Sequence, residues 1–324
     1  MSTMKYICCQ PDELYYAWQV EVMIDNFLSV GIPPGDIHIL VGINKHIGEW
    51  WNKLVQKYER VGFFFYQDER WVYHNSYPPS IVPFLMYKHY ERFPELNKSV
   101  IFHHDCDMIF TSKPDFSKFI SGYEWYFSDT VSYLSATYIK SKGDSIYIKM
   151  CRIVGIDPNI PVMFEPDSGG AQHIIKNVDS WFWREVYINS EKLYSYLGTS
   201  NSDIQKWTAG MWALLWTSWM HRGIRIKVVP ELNFSMATDT WPKWQKNLIY
   251  HNAGAVPEHQ GKLFLKEQYR GQLPYTQDNP YDRQFCSYKY FDRIIETGKT
   301  SCLRDDPPNM ELLIDQCKSI FINK

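Results

Sequence analysis

The first hundred residues alternate short apolar runs with longer stretches in which apolar residues recur at helical spacing. The apolar runs predict four strands, at Lys5–Cys9, Ile37–Ile43, Phe63–Tyr66 and Ser99–Ile109. The amphipathic stretches predict three helices, at Leu14–Val30, Ile47–Tyr58 and Ile81–Tyr90. Alternation of this kind is typical of right-handed βαβ units. We therefore expect an α/β fold with a mainly parallel, Rossmann-like sheet and helices on both faces.

The pattern loosens after Phe119, and the C-terminal half is decorated with loops and Trp-rich helical pieces. Later elements are predicted at Ser202–His221 (helix), Arg225–Val229 and Leu248–His251 (strands) and Asn309–Phe321 (helix). No internal repeat or low-complexity linker divides the chain. We expect a single domain over residues 1–256, made of a first half (1–110) and a second half (111–256), with an extension over 257–324 packed on it.

Composition and charge exclude several classes. The 324 residues carry 34 basic and 36 acidic side chains, which argues against a strongly cationic nucleic-acid coat, although a local basic groove is compatible with this balance. The 7 cysteines are odd in number and lack metal-finger spacing, so a reduced compartment is the simpler interpretation. The N-terminus does not resemble a secretion signal and no apolar run is long enough to span a bilayer. These features predict a cytoplasmic protein without a membrane partner.

The most informative motif is the Asp-x-Asp formed by Asp105 and Asp107, directly after an apolar strand. Acidic residues at i and i+2 of an extended strand point to the same side. Carboxylate oxygens are favoured by hard divalent cations, which can bridge two phosphate oxygens of a nucleotide. About one such motif is expected by chance in a chain of this length, so a pair of solvated turn acids is the alternative. The position at the carboxyl end of a parallel strand favours the metal site.

A second signal follows a later strand. His251 precedes Asn252, Ala253 and Gly254. A lone histidine after a short strand is more often structural, but with the carboxylate pair it would complete a site of two Asp and one His. Imidazole suits Mn²⁺ better than Mg²⁺, which prefers oxygen ligands and retained water. We therefore predict Mn²⁺, with Mg²⁺ as the alternative, bound by Asp105, Asp107 and His251.

Together these motifs resemble nucleotide-sugar glycosyltransferases of the GT-A fold over roughly residues 5–262. In that group the Asp-x-Asp and a C-terminal His hold the metal that grips a nucleoside diphosphate. More narrowly, the segments 15–19 and 167–172 look like those of hydroxyproline arabinosyltransferases, serine galactosyltransferases and virus-encoded transferases of hydroxymethylated cytosine in DNA. The resemblance implies transfer of a sugar (arabinose, galactose or glucose) from a UDP-sugar to an acceptor hydroxyl on a modified DNA base or a hydroxylated protein side chain. It also implies retention of configuration and, for a viral protein, the host cytoplasm.

The resemblance also distributes binding roles. Asp105 ligates the metal or takes the ribose hydroxyl. Retaining members carry a lysine three residues after the glycine of their His-x-x-Gly, but Pro257 stands there in this chain. Lys262 is the nearest lysine, and Lys266 or Arg270 could supply a cation for the phosphates instead. Other contacts to the nucleotide sugar do not come from the resemblance: topology alone places Gln10 and Pro11, at the end of the first strand, at the nucleobase. Gly169 and Gly170 would let the backbone approach the ligand closely, and Gln172, beside them, is also predicted to contact it.

Acidic residues around the Gly-Gly pair are the predicted catalytic groups. Asp167 or Glu165 would be the general base of an inverting reaction, and in a retaining reaction would only hold hydroxyls. The alternative is an ordinary turn with a capping Asp before a helix at Ala171–Asn177. Asp203 is a further catalytic candidate, with a helix N-terminal acid as its alternative.

The chain is rich in aromatic residues, at 17%. We expect the tryptophans of the Ser202–His221 helix to be mostly core: Trp207, Trp212, Trp216 and Trp219. Aromatic residues in loop-like stretches are candidates for stacking on sugar or base: Trp71, Tyr73, Tyr77 and Trp241.

Two other classes remain open at this stage. A haloacid-dehalogenase-type phosphotransferase also has an Asp-x-Asp after an apolar strand, but that motif comes early in its core, whereas three strand–helix units precede it here. A non-enzymatic carbohydrate-binding protein would explain the aromatic residues without needing both Asp and His. Oligomeric state is not legible from the sequence.

Overall fold

The computed structural model describes residues 4–70, 77–221 and 224–304. Its strands are β1 (Met4–Pro11), β2 (Ile37–Ile43), β3 (Gly62–Gln67), β4 (Val100–His103), β5 (Met108–Phe110), β6 (Glu124–Asp129), β7 (Gly169–Lys176), β8 (Arg225–Val228), β9 (Phe234–Ser235) and β10 (Ile249–His251). Its helices are α1 (Leu14–Ser29), α2 (Glu49–Lys57), α3 (Ile81–Arg92), α4 (Val131–Leu134), α5 (Ala136–Lys142), α6 (Asp144–Val154), α7 (Asn159–Met163), α8 (Ser180–Thr199), α9 (Ala209–Met220), α10 (Trp241–Lys246) and α11 (Cys286–Lys299).

A seven-stranded sheet organises the molecule, in the order β3-β2-β1-β4-β7-β6-β8. The first four strands in this order run parallel, as the alternation of strands and helices predicts. β7 is inserted antiparallel between β4 and β6, and β8 again runs parallel to β6. The expectation of a mainly parallel α/β sheet is therefore confirmed.

A second, three-stranded sheet has the order β5-β10-β9. β10 pairs antiparallel with β5 and parallel with β9. Since β5 follows β4 after a turn of four residues, the small sheet leaves the main one directly beyond the carboxyl end of a parallel strand. Ligands bind at this edge in open α/β sheets.

Apolar side chains cover both faces of the main sheet. One face packs against α1 and α2, with Trp18 and Trp51 fully buried. The other face packs against α3, α8 and α9, where Trp183, Trp212 and Trp216 are buried. Much of the aromatic excess is therefore core, since each buried aromatic ring removes a large apolar area from water.

Three predicted elements differ from the structure. Ser99–Ile109 is two strands, β4 and β5, separated by a turn. Ala171–Asn177 is not a helix, because residues 169–176 form β7, in which residues 173–176 pair with β4 and residues 169, 170, 173 and 174 pair with β6. The Ser202–His221 helix is shorter, since regular α-helix begins at Ala209 after a single 3₁₀ turn at Lys206–Thr208.

Residues 257–304, called here the C-terminal segment, pack against the N-terminal half. The indole Nε1 of Trp18 donates to the carbonyl of Tyr269 at 3.2 Å, and its ring contacts Phe264 edge-on. α11 lies against α1. The predicted boundary at residue 256 stays a prediction, and the helix predicted at Asn309–Phe321 lies outside the described residues.

The helices of the described ranges include none with both the length and the apolar character that crossing a bilayer requires.

Candidate metal and nucleotide site

Asp105 and Asp107 lie in the turn that joins β4 to β5, not on an extended strand as predicted. They face a common point because the turn brings them together. The preceding residue helps to hold this turn: the ring of His104 is buried against Phe102 and Phe27, and its Nδ1 donates to the carbonyl of Asp105 at 2.9 Å. Burial lowers the pKa of His104 to about 4, so the ring is neutral at physiological pH.

Strand pairing brings the distant histidine to the carboxylates. His251 is opposite Met108 in the β5–β10 ladder, and the backbone N–H of Asn252 donates to the carbonyl of Asp107 at 3.1 Å. Gly254 follows with φ of +81°, a left-handed conformation that glycine adopts without steric penalty. A Cβ at this position would approach the Sδ of Met236 to 2.9 Å, so the turn after β10 requires glycine on both counts.

The three side chains converge as the sequence predicts. His251 Nε2 is 3.2 Å from Asp107 Oδ1 and 3.4 Å from Asp105 Oδ2. One ligand atom from each of the three residues lies within 4.8 Å of the other two. The side chains of Asp107 and His251 are 4% and 10% exposed, whereas that of Asp105 is 51% exposed. The site therefore has a buried floor and one carboxylate open to solvent.

Opposite charges hold this cluster together. Burial would lower the pKa of His251, but Asp107 and Asp105 outweigh it and raise that pKa to about 10. Burial would likewise raise the pKa of both carboxyl groups, but Lys266 and His251 lower the pKa of Asp107, and a hydrogen bond with His251 lowers that of Asp105. Two carboxylates and an imidazole are a donor set that fits Mn²⁺ or Mg²⁺.

Lys266 is the basic residue that reaches the site. Its Nζ makes a salt bridge with Asp107 Oδ2, and Asp107 raises the pKa of Lys266 against the effect of burial. Lys262, the nearest lysine in sequence, instead lies over the ring of Phe285 at 4.5 Å. Arg270 lies over the ring of Tyr15 at 4.7 Å. Among the three basic residues considered from the sequence, Lys266 is therefore the one that the structure places on an Asp-x-Asp carboxylate.

Helix α1 fixes the position of the strand that follows the motif. The side-chain amide of Asn26 donates to the carbonyl of Phe110 at 3.0 Å, and its oxygen accepts from the N–H of Phe110 at 2.8 Å. Asn26 thereby pairs with both backbone groups of the last residue of β5. No feature of the sequence pointed to this clamp, since an asparagine inside a helix is usually a weak helix former with an exposed side chain.

The predicted catalytic acids make contacts with other elements. Asp167 Oδ1 accepts from the N–H of Val228 at 3.1 Å, and Glu165 Oε2 accepts from the N–H of Thr137 at 3.3 Å. Asp203 is 80% exposed and forms a salt bridge of 2.7 Å with Lys142. All three lie outside the three-residue metal-ligand group found among the described residues. Their catalytic roles stay predictions.

Gln10 and the Gly-Gly pair make contacts within the protein. The buried amide of Gln10 donates to the carbonyl of Leu40 at 3.0 Å, and Pro11 ends β1 partly exposed. A Cβ on Gly169 would approach Phe127 Cβ to 2.4 Å, and one on Gly170 would approach the side chain of Met211 at the same distance. Gly169 is thus required by the close approach of β6, including the carbonyl of Ser128, whereas Gly170 leaves room for side chains of the neighbouring helices.

Gln172, predicted to contact the nucleotide sugar, lies against His251. Its amide Nε2 is 3.0 Å from His251 Nδ1. Its neighbour His173 faces His103 across the β4–β7 ladder, with 3.3 Å between their Nδ1 atoms. Burial lowers the pKa of His103 to about 4 and that of His173 further, so neither ring is charged at neutral pH. A signal for this buried pair was present in the sequence only as two isolated histidines.

Some of the aromatic residues are buried or exposed as predicted from the sequence, and others are not. Trp212 and Trp216 are core as expected, but Trp207 is 58% exposed because it precedes α9 rather than lying within it. Tyr77, predicted as an exposed stacking residue, is 1% exposed and donates through its hydroxyl to the carbonyl of Trp207. Trp241 is 39% exposed on α10. Trp71 and Tyr73 lie outside the described residues.

Comparison with known proteins gives structural matches only. No protein-family model matches the sequence, and no curated protein matches it. Among solved structures, the bifunctional glycosyltransferase WbbM superposes with a TM-score of 0.51 at 12% identity over 96% of this chain and 51% of that chain. This chain therefore spans about half the length of WbbM.

Two further structures match with lower scores. Galactosyltransferase LgtC, solved with donor and acceptor sugar analogues, has a TM-score of 0.49 at 12% identity and is covered over 98% of its length, as is 95% of this chain. Mouse xyloside xylosyltransferase 1 has a TM-score of 0.43 at 10% identity over 79% of this chain and 100% of that chain. From the match with WbbM and the topology described above, the chain has the GT-A fold of nucleotide-sugar glycosyltransferases.

Proposed function

We propose that the protein is a metal-dependent glycosyltransferase that moves a sugar from a UDP-sugar to an acceptor hydroxyl. The observation that carries this proposal is the convergence of Asp105, Asp107 and His251 beyond the carboxyl end of β4. In a GT-A fold this edge of the sheet is where a nucleotide sugar would bind. The buried floor and the single exposed carboxylate form a site that is open on one side only.

The ligand residues have distinct tasks in this scheme. Asp107 and His251 form the buried part of the ligand set and would hold Mn²⁺ or Mg²⁺, and Asp105 would complete the set from the solvent side or bind the ribose hydroxyl. A divalent cation bound there supplies charge stabilisation where negative charge develops on the leaving diphosphate.

Lys266 would be the second positive group for the diphosphate. Its ammonium already lies at Asp107, next to the ligand atoms. The ammonium of Lys266 would move from Asp107 to a phosphate oxygen of the diphosphate. It would have a negatively charged partner in both positions, so no buried charge would be left unpaired. We therefore assign to Lys266 the phosphate role that the lysine of the His-x-x-Gly-x-x-Lys pattern has in retaining members.

The finer features of the reaction rest on the resemblance of the sequence segments. We propose retention of configuration, with Asp167, Glu165 and Asp203 holding sugar or acceptor hydroxyls. The donor sugar is arabinose, galactose or glucose in kind, and the acceptor is a hydroxymethylated DNA base or a hydroxylated protein side chain. A cytoplasmic location is part of the same proposal.

Calorimetric titration with UDP in the presence of Mn²⁺ tests the site. The Asp107→Ala protein is expected to lose measurable UDP binding while its circular-dichroism spectrum and melting transition stay those of a folded protein. Asp278→Ala is the matched control, because it removes the same charge from an exposed position and should bind UDP like the wild type. Equal UDP affinity in Asp107→Ala and wild type would reject the site.

Mass-spectrometric detection of donor breakdown tests the reaction without knowledge of the acceptor. Slow, Mn²⁺-dependent hydrolysis of one UDP-sugar from a panel is expected. Phosphate release from phosphomonoesters without any nucleotide would instead favour a phosphotransferase that uses Asp105 as nucleophile. Sugar binding that is unchanged after metal removal would favour a carbohydrate-binding protein.

A further inference from the structure

A buried glutamine lies directly behind the histidine of the metal site. The side chain of Gln172 is inaccessible to solvent, and its amide Nε2 is 3.0 Å from Nδ1 of His251. The opposite ring nitrogen, Nε2, faces Asp105 and Asp107. The amide oxygen of Gln172 is buried and has no hydrogen-bond partner among the described residues. A buried acceptor without a partner is unfavourable by about 1–3 kcal/mol.

The chemistry of a ligating imidazole determines which amide atom should face it. A ring that ligates a cation through Nε2 uses the lone pair of that nitrogen, so its proton must be on Nδ1. A protonated Nδ1 is a donor and needs an acceptor. Rotation of the Gln172 amide by half a turn exchanges its nitrogen and oxygen and directs Oε1 at the Nδ1 proton of His251. The rotation gives the orphaned oxygen a partner and takes one from Nε2, so the tautomer of the His251 ring, and not the number of unpaired amide atoms, decides the orientation.

The backbone of β7 is distorted at the point that presents this side chain. In the ladder with β6, Phe127 pairs with His173 and Ser128 with Gly170, so Ala171 and Gln172 have no partner. Ala171 has φ of +62°, a left-handed conformation that is unfavourable for a residue with a Cβ by about 1–2 kcal/mol. Bulges of this kind re-aim side chains and are common next to active sites. Gln172 lies on the same face as Ile174, which packs with Ile249 and Tyr250 of β10, and the bulge interrupts the β6 pairing where Gln172 meets His251.

We propose that Gln172 is a positioning residue whose amide oxygen accepts a hydrogen bond from Nδ1–H of His251 and thereby fixes the ring with Nε2 toward the two carboxylates. This inference rests on the proposed function in that the ring ligates a divalent cation. It assigns Gln172 to the metal site rather than to direct contact with the sugar nucleotide.

Three variants separate this role from simple core packing. Gln172→Met keeps the volume but removes the acceptor, and is expected to weaken Mn²⁺ binding by about 10- to 100-fold, the range typical of lost partners of ligating histidines. Gln172→Glu keeps an acceptor and is expected to bind Mn²⁺ at least as tightly as the wild type. Gln19→Met is the control: Gln19 is also buried and bonded, to the carbonyl of Tyr15, and its loss should leave Mn²⁺ affinity unchanged.

The measurement is calorimetric titration of the full chain with Mn²⁺ alone, without nucleotide. Equal affinities for wild type and Gln172→Met, or a loss in Gln172→Glu as large as that in Gln172→Met, would overturn the positioning role. Absence of Mn²⁺ binding by the wild type would overturn the proposed function, and the metal-orienting role of Gln172 with it. The two failures are therefore distinguishable.

A spectroscopic measurement on the wild type keeps the inference testable even if Gln172→Met does not fold. Long-range ¹H–¹⁵N spectra report which ring nitrogen of a histidine carries a proton, and His251→Gln assigns the signal. A proton on Nδ1 of His251 in the Mg²⁺-loaded protein is the expected result. An unprotonated Nδ1 would show that Gln172 donates to the ring and would reject the proposal.

Discussion

Two buried carboxylates of the N-terminal half bind the C-terminal segment, and their surroundings differ in kind. Glu21 in α1 is inaccessible to solvent. Its Oε1 accepts from Lys57 at 2.9 Å and from the N–H of Cys302 at 3.1 Å. Its Oε2 accepts from the hydroxyls of Tyr275 and Ser301, each at 2.6 Å. With the Cys302 thiol, whose Sγ is 3.6 Å from Oε1, Glu21 has five donors, and four of them are neutral groups fixed by the fold.

Asp107 instead meets two positive side chains. Its Oδ2 pairs with Lys266, and its Oδ1 faces His251, with Asp105 at the solvent side. Neutral donors such as those at Glu21 satisfy a carboxylate permanently. Positive partners can be replaced by another cation without leaving the carboxylate uncompensated. On the proposed function, Glu21 is therefore a structural carboxylate, and Asp107 is the carboxylate at which a metal ion could replace Lys266 as the charged partner.

Loss of the Asp107 carboxylate should have the largest effect on turnover. Asp107→Asn keeps the shape but removes the charge that a metal ion needs, so we expect turnover of the UDP-sugar to fall by at least about 1000-fold, equivalent to about 4 kcal/mol. The melting temperature is also expected to fall, because Lys266 and His251 lose a charged partner, so the rates are compared at a temperature where both proteins are folded. Steady-state rates with the donor identified by mass spectrometry measure this. Residual activity within tenfold of the wild type would contradict the assignment.

Loss of the Glu21 carboxylate should lower the free energy of unfolding without changing nucleotide binding. Glu21→Gln removes the nearer of the two carboxylates that pair with Lys57 and leaves Asp25 at 3.7 Å, so the free energy of unfolding should decrease by about 1–3 kcal/mol. Urea unfolding followed by fluorescence measures the change. At temperatures where Glu21→Gln is folded, its UDP affinity should equal that of the wild type. Impaired UDP binding by the folded variant would show that the two carboxylates are not functionally separate.

The lysine at Asp107 should influence metal and nucleotide in opposite directions. Lys266→Met removes the competing positive charge, so Mn²⁺ alone should bind about tenfold more tightly. UDP should bind about tenfold more weakly, because a phosphate partner is lost. Lys262→Met, which removes a lysine from the ring of Phe285, is the control and should change neither affinity. If Lys266→Met changed the Mn²⁺ and UDP affinities in the same direction, the proposed movement of Lys266 from Asp107 to a phosphate would be contradicted.

The pH dependence of stability should distinguish the two carboxylates by a smaller effect. Because His251 has its pKa raised from about 6.5 unfolded to about 10 folded, its proton stabilises the folded, metal-free protein below pH 6.5. This contribution is lost as the pH rises toward 10, by at most about 1.4 kcal/mol per pH unit. Urea unfolding with a chelator at pH 7 and pH 8 should show a larger decrease in wild type and Glu21→Gln than in His251→Gln, because the buried thiols with raised pKa, such as Cys8 and Cys106, contribute equally to all three proteins. A decrease of the same size in His251→Gln would exclude His251 as its source.

The N-terminal strands and helices were predictable because each carries a clear periodicity. The strand around Ile37–Ile43 and the helix beginning at Leu14 match the structure within one residue. β7 was missed because Ala171–Asn177 contains a short apolar run without alternation, which periodicity alone does not assign to strand or helix. In the folded chain this segment is a strand because it pairs with β4 on one side and β6 on the other.

The metal ligands were predictable because residue type and position agree, whereas their partners were not. Asp105, Asp107 and His251 combine metal-binding chemistry with strand ends. Lys266 is far from Asp107 in sequence and lies outside the spacing known for the resembling proteins. Gln172 is recognisable as a partner of His251 only once β7 and β10 are placed. Long-range contacts of this kind depend on tertiary packing, which local patterns do not encode.

The amide of Asn26 gives the motif turn a dependence on helix α1. Because Asn26 binds the N–H and C=O of Phe110 as a neighbouring strand would, any axial slide of α1 is transmitted to β5 and, three residues earlier, to Asp107. On the proposed function, a change in how α1 packs would therefore change the geometry of the metal site without the substitution of any ligand residue. Substitutions where α1 packs against the rest of the fold could then alter metal preference.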